Sequence, residues 1–223
     1  MKTICSQPKA GGFNAIDLLI VVVTVLLFFT VALPWLVRPK TPPMARRISC
    51  VNNLKQVGLT FRLWANDNGG KFPMAVSTNQ AGTLEYLESG QVYRHFMTMS
   101  NELSSPKPLA CPEDTKRTPA KDWASGLSNQ NISYFVGLEA DETKPQMLLS
   151  GDRNITGGVL TNGNIMLCRS NTVLKWTTAI HNQNGNIGLA DGSVQQTSDL
   201  GLQRQLQAEF QTITNDMIRL AIP

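Results

Sequence analysis

Twenty consecutive residues without a charge, Leu18 to Val37 (LLIVVVTVLLFFTVALPWLV), constrain this chain more than any other feature. As an α-helix the run spans about 30 Å, the thickness of a bilayer's hydrocarbon core. In lipid every backbone N–H and C=O must be satisfied within the segment, so helix is the state it can hold there. Pro34 removes one donor near the end and is expected to bend the helix. A cleaved secretory signal has a shorter apolar stretch, roughly 7–15 residues, followed by small residues at the cut. Here Pro34-Trp35-Leu36-Val37-Arg38 follows instead. A core helix of a soluble domain would carry a polar face, and this run has none.

The run also skews the composition. The 223 residues are 42% hydrophobic and 16% charged, against about 25% charged in an average soluble domain. That excludes a disordered polyelectrolyte and a long charged coiled coil. The net charge of +4 is too small and too scattered for a dedicated nucleic-acid binder.

One acid, Asp17, stands at the mouth of the run. An acid at a membrane edge is costly if it goes deep, which makes it a functional candidate. The string Gly12-Phe13-Asn14-Ala15-Ile16-Asp17-Leu18-Leu19-Ile20-Val21-Val22 resembles the N-terminal signal of type IV pilins and type II secretion pseudopilins. The resemblance implies that a prepilin peptidase cuts between Gly12 and Phe13 on the cytoplasmic side and methylates the new N-terminal Phe13. It implies that Asp17 pairs with the N-terminal amine of a neighbouring subunit during assembly. The family acid is normally Glu, one methylene longer, and Asn14-Ala15 replaces the usual Thr-Leu.

The flanking charges pull the other way. Arg38, Lys40, Arg46 and Arg47 follow the run, against Lys2 and Lys9 before it. The positive-inside rule alone would place the C-terminal part in the cytoplasm. The family resemblance implies the reverse: leader inside, a single pass through the bacterial inner membrane, and a periplasmic C-terminal domain. Loss of Lys2 and Lys9 with the leader would lower the net charge from +4 to +2, so no nucleic-acid partner is expected.

The chain divides at 38–43, where Pro39, Pro42 and Pro43 interrupt any continuing helix. Thr41 is the expected N-cap, with Pro42 at the first helical position. From Met44 to Asp67 the period is helical: Cys50, Leu54, Val57, Phe61 and Trp64 are spaced 4, 3, 4 and 3 apart. Asn66-Asp67-Asn68-Gly69-Gly70 stops it. The expected organisation is leader 1–12, membrane helix 13–37, break 38–43, and one domain 44–223.

Met44 to Leu59 (MARRISCVNNLKQVGL) resembles a segment found in a large bacterial group of prepilin-type proteins, which also carries a histidine, nine residues, then Asp-Gly. This chain has His181, nine residues, then Asp191-Gly192. The resemblance implies a pilin-like α+β fold, with a long N-terminal helix against an antiparallel sheet, and a structural role rather than catalysis.

Between these segments, Ala81–Ser89 and Gln91–Leu103 read as short helices. Leu109–Pro112, Ile132–Leu138, Met147–Ser150, Val159–Leu160, Ile165–Cys168 and Val173–Thr177 read as strands. Asn186–Ala190 and Ser193–Thr197 flank Asp191-Gly192, a dipeptide that favours a two-residue type I′ turn. Asp199–Phe210 reads as a helix and Met217–Ile222 as a last strand.

The four cysteines, Cys5, Cys50, Cys111 and Cys168, fit no zinc spacing and no Cys-x-x-Cys motif. Cys5 would leave with the leader. The family resemblance favours a Cys50–Cys111 disulfide, which would close a loop of about 60 residues and contribute roughly 4 kcal/mol by the chain-entropy model. Cys111–Cys168 and buried free thiols remain as alternatives. His95, in Tyr93-Arg94-His95-Phe96-Met97, is expected to be a partly buried surface residue. His181 is expected to fix its turn by hydrogen bonding to backbone or to an acid. Asp152 and Asp191 are weak candidate ligands for calcium, with an Asp152–Arg153 ion pair or cap as the plainer reading. No nucleophile elbow, zinc-protease motif or phosphate-binding loop is present.

The expected function is a pseudopilin or minor pilin. Its partners would be other such subunits, the assembly machinery, the peptidase and the inner membrane. The alternative is an uncleaved, membrane-anchored domain that binds or hydrolyses a ligand.

Overall fold

The computed structural model describes residues 14–36, 43–161 and 163–223. The chain forms two compact units, Met1–Thr41 and Pro42–Pro223.

The first unit contains helix α1, Ala15–Leu36. Its apolar side chains from Ile16 to Val31 are 46–74% exposed, on every face of the helix. An 18-residue window, Ala15–Ala32, has mean hydropathy 2.8, apolar and long enough to cross a membrane. The hydroxyls inside the run are satisfied internally: Thr24 donates to Ile20 and Val21 carbonyls, and Thr30 to the Leu27 carbonyl, at 2.9–3.0 Å. The helix continues past Pro34 to Leu36. The break expected at 38–43 and the cap at Thr41 and Pro42 fall outside the described residues, apart from Pro43.

The second unit is α+β. It starts with α2, Pro43–Asp67. The stripe read from the sequence is its buried face: Cys50, Leu54, Val57 and Phe61 are fully buried and Trp64 nearly so. The helix stops where Gly69 and Gly70 take positive φ (68° and 74°), a conformation that costs glycine little. The Asn68 side chain donates to the Trp64 carbonyl at 2.8 Å, satisfying one of the orphan carbonyls of the last turn.

After α2 come isolated 3-10 turns and the short helix α3, Val92–Met97. Then follow β1 (Tyr134–Gly137), β2 (Leu148–Asp152), β3 (Ile155–Thr156), β4 (Val159–Leu160) and β5 (Ile165–Arg169). β6 (Lys175–Trp176), β7 (Gly185–Leu189), β8 (Val194–Thr197), α4 (Asp199–Phe210) and β9 (Met217–Ala221) complete the chain. Seven strands form one antiparallel sheet in the order β4-β5-β9-β1-β2-β7-β8, and β3 pairs with β6 in a separate ribbon.

Both faces of this sheet are covered. Successive residues of a strand point to opposite faces. Tyr134 and Val136 of β1 belong to the core under α2, while Phe135 between them belongs to the core that includes Leu202 and Leu206 of α4. In β2, Leu149 and Leu148 divide the same way. Hence β1, β2 and β7 are buried along their whole length.

Several local expectations need correcting. Ala81–Ser89 is one 3-10 turn, Leu84–Tyr86, because Ala81 is left-handed (φ 60°) and breaks the helix before it starts. The helix read over Gln91–Leu103 is only Val92–Met97. Leu109–Pro112 is not a strand; Pro106 and Pro108 fold the segment into a 3-10 turn at Lys107–Leu109. Asp191-Gly192 does sit in a hairpin, but in a three-residue loop rather than a type I′ turn. The Gly192 N–H donates to Leu189 and the Leu189 N–H to Ser193, and only Gly192 has positive φ (84°). That is a type I turn closed by a glycine bulge, whose left-handed position glycine occupies without strain.

The core holds titratable groups that set the pH dependence of stability. Glu209 of α4 is 1% exposed and accepts the Leu148 N–H at 3.1 Å. Burial pushes its pKa up from 4.5 to about 8, and that of Asp152 from 3.8 to about 7. The folded chain therefore keeps protons that the unfolded chain has released, and stability falls as pH rises from the ordinary carboxylate values up to these folded ones, above which it levels off. His95 acts oppositely: it is 1% exposed, not a surface residue, and burial lowers its pKa from 6.5 to about 4. Its contribution rises with pH up to 6.5 and offsets part of the acids' loss there. Between pH 6.5 and 8 the loss stands alone, at up to about 1.4 kcal/mol per pH unit for each proton released. Glu209→Gln should flatten this decline, read as denaturation midpoints at the two ends of the window. Equal slopes in both proteins would refute the assignment.

Candidate functional site

Gly12 and Phe13, the processing residues implied by resemblance, lie outside the described residues. Asp17 sits in the first turn of α1, exposed to solvent. Its carboxylate accepts the backbone N–H of Asn14 at 3.2 Å, half of a capping box. An acid there also favours the positive end of the helix dipole.

The chemically densest place in the second unit is where β2 and β7 end beneath α2. Cys50 on α2 is bonded to Cys111, which follows the 3-10 turn at Lys107–Leu109 (S–S 2.05 Å, Cα–Cα 5.0 Å). Cys168 is free and buried in β5, where burial pushes its thiol up to about 12, far from reactive.

Beside the disulfide, β2 delivers Asp152 and β7 delivers Asn186. One Asp152 oxygen, Oδ2, accepts both the backbone N–H and the side-chain amide of Asn186, at 2.7 and 2.8 Å. His181 Nε2 lies 3.4 Å from that oxygen, 3.1 Å from the Asn186 amide nitrogen and 3.5 Å from Cys111 Sγ. Asp152 is fully buried and His181 is 6% exposed. Burial raises the Asp152 pKa and lowers that of His181, so both are pushed toward neutrality rather than an ion pair. Asp152 Oδ1 and His181 Nδ1 are buried and have no hydrogen-bond partner among the described residues.

His181, Asn182 and Gln183 all adopt left-handed conformations, with φ of 56°, 50° and 60°. Each such non-glycine residue stores on the order of 1–2 kcal/mol and needs surrounding structure to hold it. Asn154 supplies that structure: its amide donates to the carbonyls of Thr177, Ile180 and Asn184 at 2.8–3.1 Å. The Arg47 guanidinium donates to the His181 carbonyl at 3.1 Å. A cavity of about 570 Å³ opens beside His181, lined also by Met44, Arg47, Ile48, Glu113 and Ile180.

The nine residues between His181 and Asp191 are the rest of this loop, 182–184, then β7 and Ala190. The two ends of the motif touch α2 at two places: Arg47 donates to the His181 carbonyl and Arg62 to the Asp191 carbonyl, at 3.1 and 2.9 Å. Gly192 packs against Gly58 between those arginines.

Asp191 is exposed, and its carboxylate accepts the Ser193 N–H at 2.8 Å. It does not join Asp152. The two lie at opposite ends of β7, at least roughly 10 Å apart at about 3.3 Å per strand residue. The calcium pairing considered from sequence therefore does not assemble. Nor do Asp152 and Arg153 pair. Arg153, in the bend that follows β2, instead holds Asp114 through two 2.7 Å contacts. Asn186 and Asp114 carry no sequence signal that singles them out; the tertiary fold alone brings them to these partners. The chain matches no protein-family model, no curated protein and no solved structure.

Proposed function

We propose that the chain is a pilin-like structural subunit, a pseudopilin or minor pilin, cut by prepilin peptidase and assembled into a type II secretion pseudopilus or a type IV pilus-like filament. The observation that carries this reading is α1. It is apolar on every face, unburied in its own unit and carries Asp17 in its first turn, four residues after Phe13. A solvent-facing helix of this kind needs a bilayer or other apolar helices around it. In the proposed arrangement α1 crosses the bacterial inner membrane once, with Gly12 on the cytoplasmic side and the α+β unit in the periplasm. Asp17, now occupied with the Asn14 N–H, would exchange that partner for the N-terminal amine of a neighbouring subunit. Two opposite charges desolvated together tolerate an apolar setting that neither tolerates alone.

N-terminal mass spectrometry of the membrane-extracted protein tests this. A mature chain beginning at N-methyl-Phe13 is the expected result. An intact Met1 in cells with active prepilin peptidase would sink the proposal and favour an anchored ligand-binding domain. Asp17→Ala is expected to leave cleavage in place and to abolish incorporation into filaments; unimpaired incorporation would remove Asp17 from the mechanism.

A further inference from the structure

Four side chains from four distant segments converge beneath α2, and their donor atoms are those of a zinc site. Cys50 Sγ, Cys111 Sγ and a ring nitrogen of His181 lie within 4.8 Å of one another, all buried. A zinc ion with Zn–S of about 2.3 Å and Zn–N or Zn–O of about 2.0 Å separates its tetrahedral ligands by roughly 3.3 Å (N to O) and 3.5 Å (N to S). His181 Nε2 stands 3.4 Å from Asp152 Oδ2 and 3.5 Å from Cys111 Sγ. The imidazole is therefore already at ligand spacing from both the Asp152 carboxylate and the Cys111 sulfur. Two adjustments remain: the bonded sulfurs are too close, and the Asp152 carboxylate, which stands outside the group of three donors within 4.8 Å of one another, has to swing toward them. Opening the bond to the roughly 3.8 Å that tetrahedral thiolates require asks for less than about 2 Å of movement, shared between two side chains.

The surroundings favour a cation. Asp152 is fully buried, its Oδ2 is hydrogen-bonded to Asn186 rather than to a Lys or Arg, and its other oxygen, Oδ1, has no hydrogen-bond partner among the described residues. A buried carboxylate without a counter-charge is costly. The other buried aspartate beside it, Asp114, has its cation in Arg153. The cavity at His181 reaches the protein surface next to the cluster.

We propose that in the reduced chain Cys50, Cys111, His181 and Asp152 bind one zinc ion in place of the disulfide. Reduction by a dithiol breaks the S–S bond. The protein gains two electrons and two protons, and the dithiol becomes its own disulfide. Both cysteine thiols then lose their protons as the ion binds. In either state α2 stays tethered to the segment at Cys111, by a covalent bond in oxidising surroundings and by a metal in reducing ones.

Cobalt(II) reports the site, because tetrahedral thiolate coordination gives intense visible bands and a sulfur-to-cobalt charge-transfer band. The sample is the full chain in detergent carrying Cys5→Ser and Cys168→Ser, so that only Cys50 and Cys111 remain as thiols. After anaerobic reduction, one cobalt per chain is expected with these bands, displaced by zinc. The disulfide-intact chain should show none. Adding His181→Ala should weaken binding at least tenfold. The proposal is overturned if the reduced chain, folded by far-UV circular dichroism, gives no charge-transfer band. It is equally overturned if His181→Ala binds as tightly, or if the disulfide resists reduction. Should reduction unfold the chain, recovery of the fold on adding cobalt or zinc supports the proposal and failure to recover overturns it.

Discussion

Arg153→Leu is expected to destabilise the α+β unit by about 3–5 kcal/mol, the cost of stranding a buried charge. The guanidinium clasps Asp114 with two 2.7 Å hydrogen bonds, and the Asp114 side chain is 1% exposed. Its remaining acceptor capacity takes the Lys116 N–H at 3.2 Å, which is no substitute for a counter-charge. Asp114 donates its own N–H to the Cys111 carbonyl, so the pair also ties the disulfide-bearing turn to the end of β2. The large effect should come from breaking the pair, not from its intrinsic strength. Arg153→Leu combined with Asp114→Asn should therefore recover most of the loss, since replacing both partners of a buried pair is often near neutral. Denaturant titration of the full chain in detergent, disulfide intact, measures all three proteins. A single variant within about 0.5 kcal/mol of the wild type would place it among ordinary surface changes and show that the pair is solvated.

Phe61→Ala should cost a similar amount, about 3–5 kcal/mol, by removing a buried aromatic and leaving a cavity. Phe61 is fully buried, with edge-to-face contacts to Phe72 and Phe96 at 5.9 Å each. Two leucines on the same helix serve as controls: Leu59 is 57% and Leu63 46% exposed. Leu59→Ala and Leu63→Ala should stay within about 0.5 kcal/mol of the wild type. The contrast separates loss of burial from the change in helix propensity, which favours alanine at all three sites. Comparable losses at all three sites would mean that α2 is covered on its outer face too.

How much was legible follows from the range of the interactions. The stripe Cys50, Leu54, Val57, Phe61 and Trp64 could be read directly because helical period is a local property, and those residues are the buried ones. The hairpin at Asp191-Gly192 could also be read, from its dipeptide. Its turn type could not, because a type I′ turn and a glycine bulge share that dipeptide and differ in how far the flanking strands pair. The segment Leu109–Pro112 misled because apolar content outweighed the prolines at 106 and 108. The sheet's second covered face was hidden for another reason. Phe135 between Tyr134 and Val136 reads as a continuous apolar run, and only the position of α4 divides it into two faces.

From sequence alone came the apolar helix, the acid at its head and the periodic helix behind it. Each depends on residues within a turn or two of one another, and on transfer from water to an apolar phase that needs no tertiary partner. The cluster at His181 is of the other kind. Cys50, Cys111, Asp152 and His181 lie on α2, a turn, β2 and a left-handed loop, and they meet because β2 pairs with β7 beneath α2. The same pairing parts Asp152 from Asp191 and from Arg153, the partners that sequence proximity suggested. Spacing along the chain cannot foresee which distant carboxylate is desolvated, and desolvation decides its charge, its partner and its chemistry.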